Sequence, residues 1–378
     1  MLINLTLIFV FALIISYVSC AVAKPVAKKL GYVDVPYKHK AHKTVMPLGG
    51  GIALVFSFTL IILVGLSAVH TGIAYKLPYI SCLSNFHSGI IVRTQQISGI
   101  LFCAFLLLVL GIFDDIKDLG PFFKLAMQFA IASLVVIGFN VKLYLFIKVP
   151  IISYLISIIW IVTITNAINF MDNTDGLAAG VSLICSFVLL AVSALGGQLL
   201  VSAYLACLAG ALAGFLFHNF PPAKIFLGDA GSQPIGFLLA IGTILTTYYY
   251  EQNPQTQKTS VLMPVIVLAI PIYDFLSVIV LRLYSGVSPF VGDHRHFSHR
   301  LISRGLTKRQ TVLTIYLASI GTAIGAIILR SVSGILAWLV IFQTLCIVAI
   351  IAILEYQPNL YDEYKEIRQS ADKNDDKQ

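Results

Sequence analysis

The chain has 378 residues, of which 58% are hydrophobic and 11% charged, and its mean hydropathy is +0.91. This composition excludes an ordinary soluble domain and is typical of a polytopic membrane protein. The formal net charge is +8, which we interpret as membrane topology and attraction to anionic lipid, with no role in nucleic-acid binding. The cysteines are scattered without a Cys-x-x-Cys pair, a pattern that favours neither a disulfide framework nor a zinc site.

Apolar segments of about 20 residues, the length that crosses a bilayer, recur along the chain. Eleven spans are predicted, at residues 3–22, 48–69, 96–113, 122–140, 150–169, 176–194, 197–218, 232–249, 259–283, 310–330 and 333–354. The third and sixth are short, so ten or eleven transmembrane helices are expected. The predicted fold class is therefore an all-α polytopic integral membrane protein, with one membrane domain at residues 1–354 and a polar tail at 355–378.

Basic residues are distributed unequally between the two faces of this predicted bundle. The loop after the first span is rich in lysine, and the loop after the ninth is rich in arginine. Because cytoplasmic loops carry an excess of Lys and Arg, both loops and the tail are predicted to be cytoplasmic and the N-terminus outside. Nearly all carboxylates before residue 354, Glu251 excepted, fall on or close to the same face. Acids at membrane level are costly and indicate a functional site.

The cytoplasmic end of the third span carries a cluster of acids: Asp114, Asp115 and Asp118. Adjacent carboxylates repel each other unless a cation or proton lies beside them, and hard oxygen ligands suit Mg²⁺. A solvated helix cap explains the same residues equally well. Lys124, on the fourth span, is placed to face the same cleft.

A polar turn joins the fifth and sixth spans. Its amide and carboxylate side chains repeat the i, i+3 spacing that shares a helix face: Asn166, Asn169, Asp172 and Asp175. Asn173 and Gly176 permit a left-handed backbone turn. Asp175 is also a candidate cap for the sixth span. Four such side chains in apolar surroundings nevertheless favour a functional site.

The loop before the eighth span begins with Pro221 and Pro222, which forbid a helix there. Asp229 lies between glycines at the start of that span, so it is predicted at a helix N-terminus, where exposed N–H groups favour anions. A simple N-cap is the alternative. Phe226 is either a stacking platform or an aromatic side chain at the bilayer surface.

The loop after the ninth span combines histidine with arginine: His294, Arg295, His296, His299 and Arg300. This composition indicates an anion-binding loop. Histidine contributes little to the positive-inside rule, so its abundance favours chemistry over topology. A zinc site is the alternative, but only Asp293 is placed to complete a tetrahedral set.

Taken in order across residues 30–305, these motifs resemble the polyprenyl-phosphate N-acetylhexosamine-1-phosphate transferases, the family of WecA-like, TagO-like and MraY-like enzymes. Further matching segments are Val33-Asp34-Val35-Pro36, Pro47-Leu48-Gly49-Gly50-Gly51 and Pro271 to Asp274. Each motif alone is weak, but their order in a polytopic chain is specific. The His-Arg-Leu ending of the last loop resembles the WecA and TagO branches most.

The resemblance implies transfer of an N-acetylhexosamine 1-phosphate, most often GlcNAc 1-phosphate, from a UDP-sugar to undecaprenyl or another polyprenyl phosphate. UMP is released, and the reaction is the first membrane step of cell-envelope glycan synthesis. The implied location is the plasma (inner) membrane of a bacterium, with the active site on the cytoplasmic face. The implied cofactor is Mg²⁺, with Mn²⁺ as an alternative. A homodimer is compatible with the sequence.

The same resemblance implies roles at matching positions. The implied metal ligands are Asp229 and Asn169. The implied catalytic carboxylates are Asp114, Asp115 and Asp172. The residues implied to hold the uridine are Asp175, Asn219 and Phe226. The residues implied to bind the phosphates are Lys124, Arg295, His296, His299 and Arg300.

Two positions depart from the family pattern. The usual Asp-Gly-x-Asp-Gly turn has Asn173 at its first glycine, and the usual His-x-His-His has Ser298 at its second histidine. Since Asn tolerates the left-handed conformation, the turn is expected to survive. The loop has one imidazole fewer with which to bind phosphate.

Three other functional classes are alternatives. An ion-coupled transporter, the main alternative, places acids near the bilayer midplane, whereas here they lie at span ends. An intramembrane aspartyl protease needs two Asp facing each other within the membrane. A CDP-alcohol phosphotransferase needs an Asp-Gly followed by an Ala-Arg pair, a continuation that Asp175-Gly176 lacks.

Overall fold

The computed structural model describes residues 2–35, 45–71, 87–143, 149–248, 257–284, 286, 288 and 296–355, with residues 87–92 described by their backbone alone. The α-helices are α1 (Leu2–Leu30), α2 (Gly50–His70), α3 (His87–Lys117), α4 (Pro121–Ser133), α5 (Pro150–Met171), α6 (Leu177–Leu195), α7 (Leu199–Asn219), α8 (Asp229–Leu245), α9 (Met263–Val267), α10 (Ala269–Tyr284), α11 (Phe297–Ser303), α12 (Lys308–Leu329) and α13 (Ile335–Glu355).

Three short elements complete the described secondary structure. A π-helical turn, Leu134–Gly138, continues α4, and a 3-10 turn, Lys258–Leu262, precedes α9. Strands β1 (Val33–Asp34) and β2 (Met46–Pro47) pair antiparallel, with Val33 opposite Pro47. This ladder lies directly before α2 in the chain.

The predicted all-α polytopic class is confirmed. Nine described helices are long and apolar enough to cross a bilayer, and the pair 258–267 and 269–284, bent by 62°, raises the number to ten. The eighth predicted span corresponds to α8, whose 17 residues lie at the lower end of spanning length. Several helices outrun their predicted bounds. α1, for example, continues to Leu30, where the sequence predicts an end at residue 22.

α8 is the centre of the bundle. Every residue from Ala230 to Ile244 is buried, because α2, α3, α5, α6 and α7 all pack against it. A helix that is apolar on every side needs such a surround. The peripheral helices instead expose large apolar side chains, such as Phe11, Phe122 and Trp338, as expected for surfaces that face lipid.

Glycine allows α3 to touch the start of α8. A Cβ atom on Gly111 would lie 2.3 Å from the carbonyl oxygen of Asp229, which no real side chain tolerates. The backbones of the two helices therefore meet directly. Asp114 and Asp115, one turn further along α3, are thereby brought to the N-terminus of α8.

The candidate site lies on one face of the bundle. α3 ends there, α5 and α6 are joined there, α8 begins there, and α13 ends there beside α11, since Arg300 contacts Glu355. α1 begins on the opposite face, because its C-terminal end leads to Tyr32, which contacts Asp115. The first and last described residues thus lie on opposite faces. The assignment of the site face to the cytoplasm stays a prediction.

Candidate active site

Asp229, the first residue of α8, lies at the centre of the acidic cluster. Its Oδ1 accepts a hydrogen bond from Asn169 Nδ2 at 2.9 Å, and its Oδ2 accepts one from the Lys124 ammonium. The same ammonium donates to Asp114 Oδ2 at 2.7 Å. One cation therefore bridges two carboxylates from different helices, and the structure brings together four of the predicted site residues.

Asp115 holds the N-terminus of α8. Its Oδ1 accepts from the backbone N of Asp229 at 2.8 Å and its Oδ2 from that of Ala230 at 3.2 Å. The Tyr32 hydroxyl donates to the same Oδ2 at 2.5 Å. A carboxylate at this position satisfies helix N–H groups that have no partner within the helix. Asp115 therefore orients Asp229, while its predicted catalytic role stays a prediction.

The residue before α8 makes this arrangement possible. Gly228 has φ 68°, and a Cβ atom there would lie 2.7 Å from Asp115 Oδ2. Both the left-handed backbone and the lack of space require glycine. Glycine at this point therefore serves the carboxylate contact as well as the turn.

A chain of hydrogen-bonded amide side chains leads from Asn166 to Asp229. Asn166 Nδ2 donates to Gln128 Oε1 at 2.6 Å, Gln128 donates to Gln233 Oε1 at 3.1 Å, and Gln233 donates to Asp229 Oδ2 at 3.3 Å. Gln128 and Gln233 are 2% and 0% exposed. Buried polar groups with this degree of pairing fix side-chain geometry. Gln233 is absent from the predicted site. The sequence feature that could have identified it is an amide side chain inside an apolar helix, one turn after Asp229.

Asp172 follows the last residue of α5 and lies against the same cluster. Burial, together with the negative charges of Asp229, Asp115 and Asp175, raises the pKa of Asp172 well above its usual range. A hydrogen bond from the Gly228 backbone opposes this shift. A carboxyl group in this environment favours a nearby cation or proton, and the implied catalytic role of Asp172 stays a prediction.

The backbone of the α5–α6 turn differs from expectation at one position. Gly176 is left-handed, with φ 75°, as predicted. Asn173 is not: outside glycine, positive φ occurs in the described part of the chain only at Asp118 and Asn140. The left-handed conformation that Asn173 is expected to permit is therefore not adopted at this position. Its side chain is used instead, and Nδ2 donates to the Phe170 carbonyl at 2.7 Å.

Asn219 links the α5–α6 turn to the α7–α8 loop. Its Oδ1 accepts from Gly176 N and its Nδ2 donates to the Ile225 carbonyl, both at 2.9 Å, and it is 3% exposed. Asp175 Oδ2 accepts from Ala223 N at 3.2 Å, so both residues shape the same wall. Their direct binding of uridine stays a prediction.

Phe226 is held through its backbone. Its N donates to the Pro47 carbonyl at 2.9 Å and its carbonyl accepts from Gly50 N at 3.1 Å. The β2 strand and the start of α2 therefore fix the position of a half-buried ring. This geometry suits the predicted stacking platform, but stacking against uridine stays a prediction.

The histidine-bearing helix α11 is fastened to α10 by Asp274. Its Oδ1 accepts from Phe297 N at 2.8 Å, and its Oδ2 lies 3.5 Å from His296 Nδ1. The His296 ring meets Phe170 edge-on, with centroids 5.4 Å apart. These contacts place His296 beside the turn that carries Asp172.

Arg300 points away from the acidic cluster. Its guanidinium donates to Ser277 Oγ at 2.9 Å and lies 3.0 Å from Glu355 Oε2. Glu355 also accepts a hydrogen bond from the Tyr273 hydroxyl. It is buried, although the sequence predicts that it begins the polar tail. These contacts support a positioning role for Arg300 and give no support to direct phosphate binding. His299 is half-buried on α11, and Arg295 lies outside the described residues.

Arg282 is a further residue absent from the predicted site. It is 2% exposed, and its guanidinium lies over the Phe170 ring at 5.3 Å. A charged residue inside a predicted span is the signal that identifies it. Tyr32, by contrast, has no sequence feature that indicates its contact with Asp115.

The donor atoms at the cluster suit a hard divalent cation. Within the described ranges, no three His, Cys, Asp or Glu side chains converge as a complete metal site. Mg²⁺, however, is usually held by one or two carboxylates together with water and substrate phosphate. Asp229 and Asp114 already share the Lys124 ammonium, and Asn169 adds an amide group. The residues present therefore fit the predicted ion.

The chain is similar to known proteins over most of its length. Residues 97–247 match the model of glycosyl transferase family 4. The chain is 32% identical over 359 residues to the probable undecaprenyl-phosphate N-acetylglucosaminyl 1-phosphate transferase of Bacillus subtilis (strain 168), covering 93% of this chain and 92% of that protein.

Two further relatives are more distant. The decaprenyl-phosphate N-acetylglucosaminephosphotransferase of Mycobacterium tuberculosis (strain H37Rv) is 32% identical over 83% of this chain and 80% of its own length. The undecaprenyl-phosphate alpha-N-acetylglucosaminyl 1-phosphate transferase of Escherichia coli (strain K12) is 26% identical over 79% and 76%. Near-complete coverage by the first relative, together with the motifs in the expected order, shows that the chain belongs to the polyprenyl-phosphate N-acetylhexosamine-1-phosphate transferase family.

Proposed function

We propose that this protein transfers N-acetylglucosamine 1-phosphate from UDP-N-acetylglucosamine to a polyprenyl phosphate and releases UMP. The observation that carries the proposal is the meeting of Asp114, Lys124, Asn169 and Asp229 at one end of an apolar helical bundle. The polyprenyl phosphate and the N-acetylglucosamine are proposed from the names of the relatives. No observation supports the transporter alternative.

In the proposed reaction, an oxygen of the lipid phosphate attacks the β-phosphorus of the UDP-sugar. The bond from that phosphorus to the bridging oxygen breaks, and its electrons leave with UMP. Such a transfer depends on positioning and on neutralising charge. Lys124, already held between two carboxylates, is placed to turn its ammonium toward a phosphate oxygen.

The ion would be held by Asp229, Asp114 and Asn169. When bound, Mg²⁺ neutralises the pyrophosphate and stabilises the charge of departing UMP. Asp115 keeps Asp229 at the end of α8 through the two helix N–H bonds. Asn219 keeps the α5–α6 turn against the α7–α8 loop. The side chains of the proposed site are therefore held in position by hydrogen bonds within the protein.

The reaction requires a soluble nucleotide and a membrane lipid to meet at one surface. The site lies at the ends of the spans, where both can reach it, and the apolar helices supply surface for the prenyl chain. We infer that the protein resides in a bacterial plasma membrane with this face in the cytoplasm. A homodimer is part of the proposal, to be measured by the mass of the detergent-solubilised protein.

We expect purified protein to release UMP from UDP-N-acetylglucosamine only when both polyprenyl phosphate and Mg²⁺ or Mn²⁺ are present. Chelation should abolish release, and added Mg²⁺ should restore it, because the ion supplies several kcal/mol of charge stabilisation. A coupled UMP assay with a panel of UDP-sugars measures both points. Full activity in chelator would refute the metal requirement. Failure to release UMP from any UDP-sugar in the panel would refute the function.

We expect the site face to be cytoplasmic. The test uses two variants in a background without other cysteines: Ser303→Cys, on α11, and Ser333→Cys, between α12 and α13. Both positions are exposed serines, and they lie on opposite faces of the bundle. In intact cells, a membrane-impermeant maleimide should label the residue-333 variant and spare the residue-303 variant. The reverse pattern would overturn the orientation.

A further inference from the structure

Ser298 and Asn173 are in direct contact although they lie far apart in the chain. The Ser298 hydroxyl donates to Asn173 Oδ1 at 2.5 Å, and Ser298 is 1% exposed. Ser298 belongs to the first turn of α11, and Asn173 follows Asp172 in the α5–α6 turn. The bond therefore joins the element that carries His296 to the element that carries a candidate catalytic carboxylate.

The amide of Asn173 is fixed in one orientation. Its Nδ2 donates to the Phe170 carbonyl at 2.7 Å, and its Oδ1 also accepts from the Thr174 hydroxyl at 2.9 Å. Turning the amide over would place an NH₂ group toward two hydroxyl groups and a carbonyl oxygen toward another carbonyl oxygen. The Asn173 oxygen that faces Ser298 is thus held ready to accept a hydrogen bond, and a partly buried bond of this kind is costly to leave unmade.

The partners are the two positions at which the sequence departs from the family pattern. Glycine at position 173 would offer no side-chain acceptor, and histidine at position 298 would replace the hydroxyl at a position that is 1% exposed. Ser298 supplies the hydroxyl donor, and Asn173 supplies the amide oxygen that accepts it. The geometry links two changes that are 125 positions apart in the sequence.

We propose that Ser298 and Asn173 act as one positioning unit, whose hydrogen bond holds α11 and His296 against the turn that carries Asp172. The unit has no direct contact with substrate. It acts by placing His296, which the Phe170 ring and Asp274 hold from the other sides. The effect on rate rests on the proposed function, whereas the coupling between the two residues does not.

The test is a double-mutant cycle with Ser298→Ala, Asn173→Ala and the double variant. We expect Ser298→Ala to lower kcat/KM for UDP-N-acetylglucosamine about three- to tenfold, the loss that corresponds to one buried hydrogen bond. In the Asn173→Ala background the same change should have less than about a twofold effect. Ser298→Thr, which keeps the hydroxyl, should recover most of the activity of Ser298→Ala.

Ser303→Ala is the matched control, because it removes an exposed hydroxyl from the same helix. That hydroxyl donates to the Arg300 carbonyl at 2.7 Å. It should leave kcat/KM unchanged. Equal effects of Ser298→Ala in both backgrounds, or wild-type kinetics of Ser298→Ala, would overturn the proposal. If the wild-type protein releases no UMP, the proposed function fails, and the same cycle measured by Tm in detergent still decides the coupling. Additive changes in Tm would then refute the unit.

Discussion

Replacing Asp229 by Ala is expected to abolish measurable UMP release, with a loss in kcat of about 10³-fold or more. Asp229 contacts Lys124, Asn169 and Gln233 together. Its removal takes away a proposed ligand of the ion and leaves the Lys124 ammonium with one carboxylate. Steady-state UMP release in detergent, with saturating Mg²⁺, measures the effect.

Two variants distinguish the loss of the Asp229 carboxylate from the loss of any negative charge near the site. Asp229→Asn keeps the shape of the side chain and removes its charge, so it should lose nearly as much activity as Asp229→Ala. Asp118→Asn removes an exposed carboxylate four residues after Asp114, at φ 50°, a conformation that asparagine tolerates. It should retain wild-type activity. Near-normal kcat in Asp229→Asn would contradict the metal assignment.

Replacing Asp115 by Ala is expected to impair both folding stability and catalysis. The change leaves the N–H groups of Asp229 and Ala230 without their partner at a buried helix N-terminus, at a cost of about 2–4 kcal/mol. It also frees Asp229 to move, so kcat should fall by at least about 100-fold even in the folded fraction. Thermal unfolding and UMP release, measured on the same preparation, check both effects.

A graded series tests whether Asp115 acts through these bonds. Tyr32→Phe removes one of the three hydrogen bonds and should cost about 1 kcal/mol, or about fivefold in rate. Asp115→Asn keeps one acceptor oxygen and should fall between Tyr32→Phe and Asp115→Ala. If Asp115→Asn lost all activity at unchanged Tm, the carboxylate charge itself would be catalytic and the positioning role would be secondary.

Much of the architecture follows from local features of the chain. Hydropathy places ten of the eleven predicted spans on described helices and the ninth on the bent pair 258–267 and 269–284, because about 20 apolar residues in lipid can satisfy their backbone only within helices. Polar residues at span ends also identify the acidic cluster. Asp114, Lys124, Asn169 and Asp229 stand out because charges and amides beside a membrane are costly and so indicate a site.

The sequence could not determine what each side chain faces. Arg300 and the histidines share one loop, yet Arg300 turns to Ser277 and Glu355 while His296 meets Phe170 and Asp274. Successive residues on a short helix point in different directions, and the packing of neighbouring helices decides which one reaches the site. The composition of the loop indicates anion binding, and it does not distinguish one of these residues from another.

Long-range pairing is the other property that only the tertiary structure decides. Tyr32 meets Asp115 across 83 positions and Ser298 meets Asn173 across 125, distances over which no local periodicity carries information. The sequence by itself determined the class of fold and predicted the residue types of the candidate site. The tertiary structure decided which of those residues bind one another, because hydrogen bonds depend on atoms brought together by the packing of whole helices around α8.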